Sequence, residues 1–166
     1  WRQSVEFQTR YRDDFSSLEQ WHLEYAATYL ASKNWEFVPD FRFTRKPERL
    51  EYRPGLGVIY KHFTNNSQFV HQVKYQYDAR TNGINDSQGL RYAFFYNKVI
   101  NENWIGSFIA GGLFEWGPDF SGFIGLRGGP AVAYVFNEVH SINVGYFYGL
   151  LSDKQGGWTH LGIPSF

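Results

Sequence analysis

The chain has 166 residues, no net charge (16 Lys and Arg against 16 Asp and Glu) and no cysteine. The charge balance argues against a nucleic-acid partner, and the lack of cysteine excludes disulfides, thiolate metal sites and a cysteine nucleophile. Aromatic residues make up 20% of a chain whose mean hydropathy is only -0.45, which is typical of sheets that alternate lipid-facing and water-facing side chains. No apolar run reaches the roughly 18 residues of a spanning helix. We expect a single domain over residues 1–166.

Apolar and polar residues alternate with a period of two along most of the chain, which predicts β-strands with two unlike faces. The predicted strands are 3–13, 18–32, 35–45, 50–63, 68–80, 89–100, 104–116, 121–136, 140–151 and 157–166. Most match or exceed the roughly 9 to 11 residues that a tilted strand needs to cross a bilayer. The pattern predicts an all-β fold, an antiparallel transmembrane β-barrel of about ten strands, or twelve if the chain is truncated.

Charged residues fall on the polar series of these strands, and we expect them to face the lumen. They are Glu6, Arg10, Arg12, Glu24, Asp40, Arg42, Arg53, Lys74, Asp78, Arg91, Glu115 and Arg127. Barrels of about eight strands are filled by their own side chains, whereas open aqueous channels need about 16 to 18 strands. We therefore expect a filled or narrow lumen in which charges of opposite sign pair, because an unpaired charge there would be costly.

The connections between predicted strands alternate in kind. Short polar turns follow the even strands, and longer links follow the odd strands, which predicts a periplasmic rim of tight turns and an extracellular rim of longer loops. Aromatic residues stand beside the tight turns and predict a girdle at the membrane interface. These girdle residues are Trp35, Phe63, Phe69, Trp104 and Phe136.

The best local candidate for catalysis is the run Glu138-Val139-His140-Ser141. Adjacent residues of a strand point to opposite faces, so a direct contact between the histidine base and the serine nucleophile is awkward, and a polar turn is the favoured interpretation. The five histidines show no spacing that makes a metal site. We expect no catalytic residue, metal or cofactor.

Three short motifs, TRYRDD at 9–14, DFRF at 40–43 and VKYQYDAR at 73–80, resemble small outer-membrane barrels of Gram-negative bacteria. More narrowly, the chain is similar to a barrel family of unknown function. This resemblance implies a location in the bacterial outer membrane, with outer-membrane lipid as the surrounding partner. It supplies no catalytic residues.

Four functions are compatible with this pattern. The favoured hypothesis is a non-catalytic structural or accessory subunit of an outer-membrane assembly, with other outer-membrane proteins as candidate partners. The alternative is a narrow, porin-like solute channel, indicated by the arginines of the polar series. A lipid-modifying enzyme rests only on barrel size and the pair His140-Ser141, and a soluble lipocalin-like carrier would need the charged series to face water on the outside.

Overall fold

The computed structural model describes residues 1–12, 17–137 and 140–165, and every regular element in these ranges is a β-strand. The strands are β1 (Arg2–Arg12), β2 (Ser17–Leu30), β3 (Trp35–Arg45), β4 (Leu50–Phe63), β5 (Ser67–Arg80), β6 (Ser87–Val99), β7 (Trp104–Trp116), β8 (Ser121–Val135), β9 (Ser141–Ser152) and β10 (Trp158–Ser165). Each boundary lies within two residues of its predicted position. In the described ranges no helix is long and apolar enough to cross a membrane.

The ten strands form one sheet in which each strand pairs antiparallel with the next one in the chain. This up-and-down order follows from the short connections, because an antiparallel pair can be joined by a tight turn. The ten strands predicted from the sequence are confirmed. Within the described ranges, the edge strands β1 and β10 make no pairing with each other.

Burial in this sheet is the reverse of that in a water-soluble protein. In the part of the chain that the structure describes, the one buried apolar side chain is Ala131, whereas Glu36, Asp40, Asp78 and Glu115 are among the buried polar ones. Large apolar side chains are exposed along nearly every strand. A soluble carrier would bury its apolar series. The exposed series therefore fits a surface whose solvent is lipid.

Ion pairs between strands that are not neighbours show that the polar face is concave. Lys74 on β5 lies 2.7 Å from Asp40 on β3 and 3.9 Å from Glu24 on β2. Neighbouring strands are about 4.8 Å apart, so β2 and β5 would be separated by about 14 Å in a flat sheet. Because the side chains nevertheless meet, the sheet curves around its charged face, as a barrel wall does.

The turns after β2, β4 and β6 share one hydrogen-bond pattern. In each, an asparagine carbonyl of the turn accepts the N–H of a residue at the end of the next even strand, and this ties successive hairpins together at one rim. The pairs are Lys61 N–H to Asn34 at 2.7 Å, Val99 N–H to Asn66 at 2.9 Å and Val135 N–H to Asn103 at 2.7 Å.

Connections on the two rims differ little in length. The tight-turn rim has 31–34, 64–66, 100–103 and 136–140, and the opposite rim includes 46–49, 81–86, 117–120 and 153–157. The longest of these is the β5–β6 loop, residues 81–86, which lies on the rim predicted to be extracellular. Loop length alone is therefore a weak guide to which rim faces outward.

Candidate functional site

The strand register places the predicted lumen charges on one face of the sheet. Glu24 pairs across with Arg42, and Arg42 in turn with Arg53. On the next strands, Lys74 stands opposite Arg91. The alternation of the remaining charges follows the same parity: Glu6, Arg10, Asp40, Asp78, Glu115 and Arg127. Arg12 ends β1, and its side chain lies outside the described residues.

The middle of this face carries a connected set of ion pairs, which we call the charge ladder: Glu24, Asp40, Arg42, Lys74, with Arg53 and Asp78 beside them. Arg42 pairs with Glu24, and Lys74 joins Glu24 to the buried Asp40. Arg53 pairs with Asp78, which is only 2% exposed. Removing one partner of such a pair would leave an uncompensated charge, so these groups hold each other in place.

Further ion pairs lie near the two ends of the same face. At the tight-turn end, Glu36 binds Arg2 at 3.0 Å and also Lys61. At the opposite end, Glu115 lies 2.6 Å from Lys154 and 3.9 Å from Arg80. Of these residues the sequence analysis singled out Glu115 alone. Glu36 could have been found, because it shares the parity of Asp40, but Lys154 lies in a loop that no alternation reaches.

The β5–β6 loop is held by Asp86. The Tyr77 hydroxyl and the Arg80 backbone N–H, at 2.9 Å, both donate to its carboxylate. These hydrogen bonds, that from Tyr77 first, lower the pKa of Asp86, because they stabilise the charged form. Asn85 extends the loop contacts to Asp119 at 2.9 Å.

Arg91 and Arg127 differ from Arg42 and Arg53, which pair with carboxylates on the same face. No carboxylate of the described ranges lies within 4.0 Å of either guanidinium, and neither makes a hydrogen bond there. The two side chains line one cavity of about 230 Å³.

The inner face becomes more apolar from β6 onward. Around Arg91 and Arg127 the same cavity is lined by apolar side chains: Phe95, Ile109, Leu113, Leu151 and Leu161. The register gives these residues the parity of the charges, since Arg91 pairs with Leu113. The predicted rule of polar inside and apolar outside therefore holds best from β1 to β5 and weakens from β6 onward, where many inward residues are apolar as well.

Most of the predicted girdle residues make aromatic contacts beside the tight turns. Trp35 contacts Tyr60 with ring centroids 4.8 Å apart, and Phe69 contacts Tyr96 at 5.0 Å. Trp104 meets Tyr134 at 4.9 Å, and that tyrosine meets Phe136 at 4.8 Å.

Phe63 has a different position. The register pairs it with Gln68 and gives it the parity of Lys61, the charged series, at the very end of β4. Its side chain is 48% exposed at the rim.

The histidine and serine considered for catalysis do not form a catalytic contact in the described ranges. His140 binds the Asn137 side chain through its backbone N–H at 2.9 Å and its ring Nδ1 at 3.1 Å, as a turn residue does. Glu138 and Val139 of the same run lie outside the described residues. In the described ranges no three His, Cys, Asp or Glu side chains come together in a way that could hold a metal ion.

Comparisons with known proteins agree with the fold. No protein-family model matches the chain, and no curated protein matches it. A solved structure described as "KdgM porin in complex with disordered oligogalacturonate" has a similar fold, with a TM-score of 0.62 and 11% sequence identity. The match covers 98% of this chain and 83% of that chain. The chain therefore shares the fold of that outer-membrane barrel, which confirms the predicted fold class and agrees with the predicted outer-membrane location.

Proposed function

We propose that the chain forms a narrow, non-catalytic channel for polar solutes in the bacterial outer membrane. The main support for this proposal is that the concave face of the sheet is charged and its convex face is apolar. A purely structural barrel has no need for charge along its interior, because apolar packing of similar volume is often as stable as a buried ion pair. Charges that recur from one rim to the other instead offer a polar path across the bilayer.

The charge ladder supports a narrow path. Lys74 reaches acidic partners on two strands, so its side chain and theirs occupy the space in front of β2 to β5. The open part of the inner face lies beside this ladder, in front of β6 to β10, where Arg91 and Arg127 supply positive charge to the path. The porin of similar fold holds oligogalacturonate, and this supports a polar, chain-like solute as the first one to test.

Planar-bilayer recordings of the purified protein test the proposal. We expect discrete conductance steps. We also expect the double variant Lys74→Gln/Asp40→Asn, which removes both cross-strand pairs of Lys74, to change the conductance or the ion selectivity. Arg45→Gln is the matched control, because Arg45 lies on the opposite, exposed face at the end of β3. The absence of conductance steps from well-folded protein would refute the proposed channel.

The absence of conductance would favour the second candidate function, an accessory barrel within a larger outer-membrane assembly. The aromatic contacts on the convex face support this candidate, since such a surface packs against lipid or protein equally well. Co-purification of a second outer-membrane protein from native membranes, together with the absence of conductance, is the result that it predicts.

A further inference from the structure

Arg91 and Arg127 stand where the charged half of the inner face meets its apolar half. Arg91 is half-buried on β6, and Arg127 is exposed on β8. A guanidinium with no carboxylate within 4.0 Å in the described ranges keeps its hydrogen-bond donors free for an anion from outside the protein. The two arginines are the cationic part of a site.

The rest of the site is apolar. Leu113 pairs across from Arg91 on β7, and Leu151 and Leu161 complete the wall on β9 and β10. Leu151 is 50% exposed, so this part of the wall is accessible to a ligand. An inorganic anion or a fully polar sugar acid would gain no binding free energy from this apolar wall, because the hydrophobic effect favours contact only when ligand and wall are both apolar.

The cavity volume narrows the class of ligand. A cavity of roughly 150 Å³ lined by Leu, Ile and Phe binds benzene, and the cavity between Arg91 and Leu161 has about 230 Å³. That space accommodates one six-membered ring together with a carboxylate. Guanidinium groups match a carboxylate in geometry and can bind it through two parallel hydrogen bonds.

We propose that Arg91, Arg127 and the apolar wall of β7 to β10 form a binding site for a small aromatic carboxylate, with the carboxylate on the arginines and the ring on Leu113, Leu151 and Leu161. This proposal rests on the proposed channel, since it names the class of solute that would pause inside it. The two can still fail separately, because binding is measured without transport.

Calorimetric titration of the protein in detergent micelles, with empty micelles subtracted, tests the site. We expect saturable binding of benzoate at least about tenfold tighter than acetate, which lacks the ring, or galacturonate, whose ring carries hydroxyl groups that an apolar wall cannot hydrogen-bond. Benzyl alcohol, which enters micelles but has no charge, should show no saturable binding. Equal affinity for benzoate and acetate, or tighter binding of galacturonate, would overturn the aromatic site.

Variants separate the two halves of the site. Arg91→Gln and Arg127→Gln should each weaken benzoate binding about tenfold or more, as expected for loss of a charge-assisted hydrogen bond. Leu113→Asn should weaken benzoate and leave acetate unchanged, and Arg45→Gln should change neither. Unchanged benzoate affinity in both arginine variants would reject the site.

One measurement needs no variant. NMR saturation transfer from leucine methyl groups to the ring protons of benzoate, recorded in deuterated detergent, should be seen in the wild-type protein and should weaken when an excess of ring-deuterated benzoate competes for the site. No transfer would overturn the proposal even if a variant failed to fold. Saturable benzoate binding by a protein that conducts no ions would overturn the channel alone, and conduction without benzoate binding would overturn the site alone.

Discussion

Gly129 allows β8 and β9 to lie close together, and its replacement by alanine is the most quantitative test of the sheet. A Cβ atom at this position would lie 2.0 Å from the carbonyl oxygen of Tyr146 and 2.9 Å from the Cα of Phe147. Both are backbone atoms, so no side-chain rotation relieves the overlap. Gly125 is the matched control, since it stands four residues earlier on the same face of β8 and its Cβ would meet nothing closer than the Leu150 carbonyl oxygen at 3.8 Å.

The size of the effect follows from these distances. An ordinary van der Waals contact is about 3.5 Å, so the two strands must separate by about 1.5 Å at Gly129. Interstrand hydrogen bonds of about 2.9 Å do not survive such a shift. Loss of two or three of them, at a net value of about 1 kcal/mol each, destabilises the fold by about 2 to 3 kcal/mol. Gly125→Ala should instead be neutral or stabilising by about 0.5 kcal/mol, because glycine within a strand is unfavourable relative to alanine.

Urea unfolding in detergent micelles, followed by tryptophan fluorescence, measures the difference. We expect the Gly129→Ala midpoint to fall well below that of the wild-type protein and the Gly125→Ala midpoint to equal or exceed it. Equal midpoints for the two variants would refute the reasoning, because of the two added Cβ atoms only that at position 129 would overlap the facing backbone.

Three further predictions concern single contacts. Lys74→Met should destabilise the fold by about 3 kcal/mol by leaving Asp40 unpaired, and adding Asp40→Asn should recover part of this loss; urea midpoints that do not recover would contradict the pairing. The Tyr77 hydroxyl is the first cause of the lowered pKa of Asp86 in the folded protein. The Asp86 carboxylate therefore contributes its full stabilisation above the unfolded pKa of about 3.9, and this stabilisation is lost as the pH falls through the lower folded pKa. NMR titration of the β5–β6 loop amides should show this transition, and Asp86→Asn should abolish it. Asn103→Ala should cost about 1 kcal/mol in urea unfolding, because its Nδ2 donates at 2.9 Å to the carbonyl of the last residue of β8.

The strands could be predicted because alternation is a local property of the chain. Val73, Tyr75 and Lys74 report their faces through sequence spacing alone, and strand ends coincide with turn residues such as Asn34 and Asn103. The same local rule fails at Leu113 and Leu151, which have inward parity and apolar side chains. A strand with two apolar faces carries no alternation from which its inner face can be recognised.

The sequence by itself determined the all-β class, the ten strands and the series to which each charge belongs, because all three depend on residues that are neighbours in the chain. Only the tertiary structure decided which charges pair. Lys74 meets Asp40 and Glu24 from strands that are distant in sequence, and it does so because the sheet curves. The same curvature brings Arg91 and Arg127 to one cavity without a carboxylate partner in the described residues, and no spacing along the chain could have predicted that arrangement.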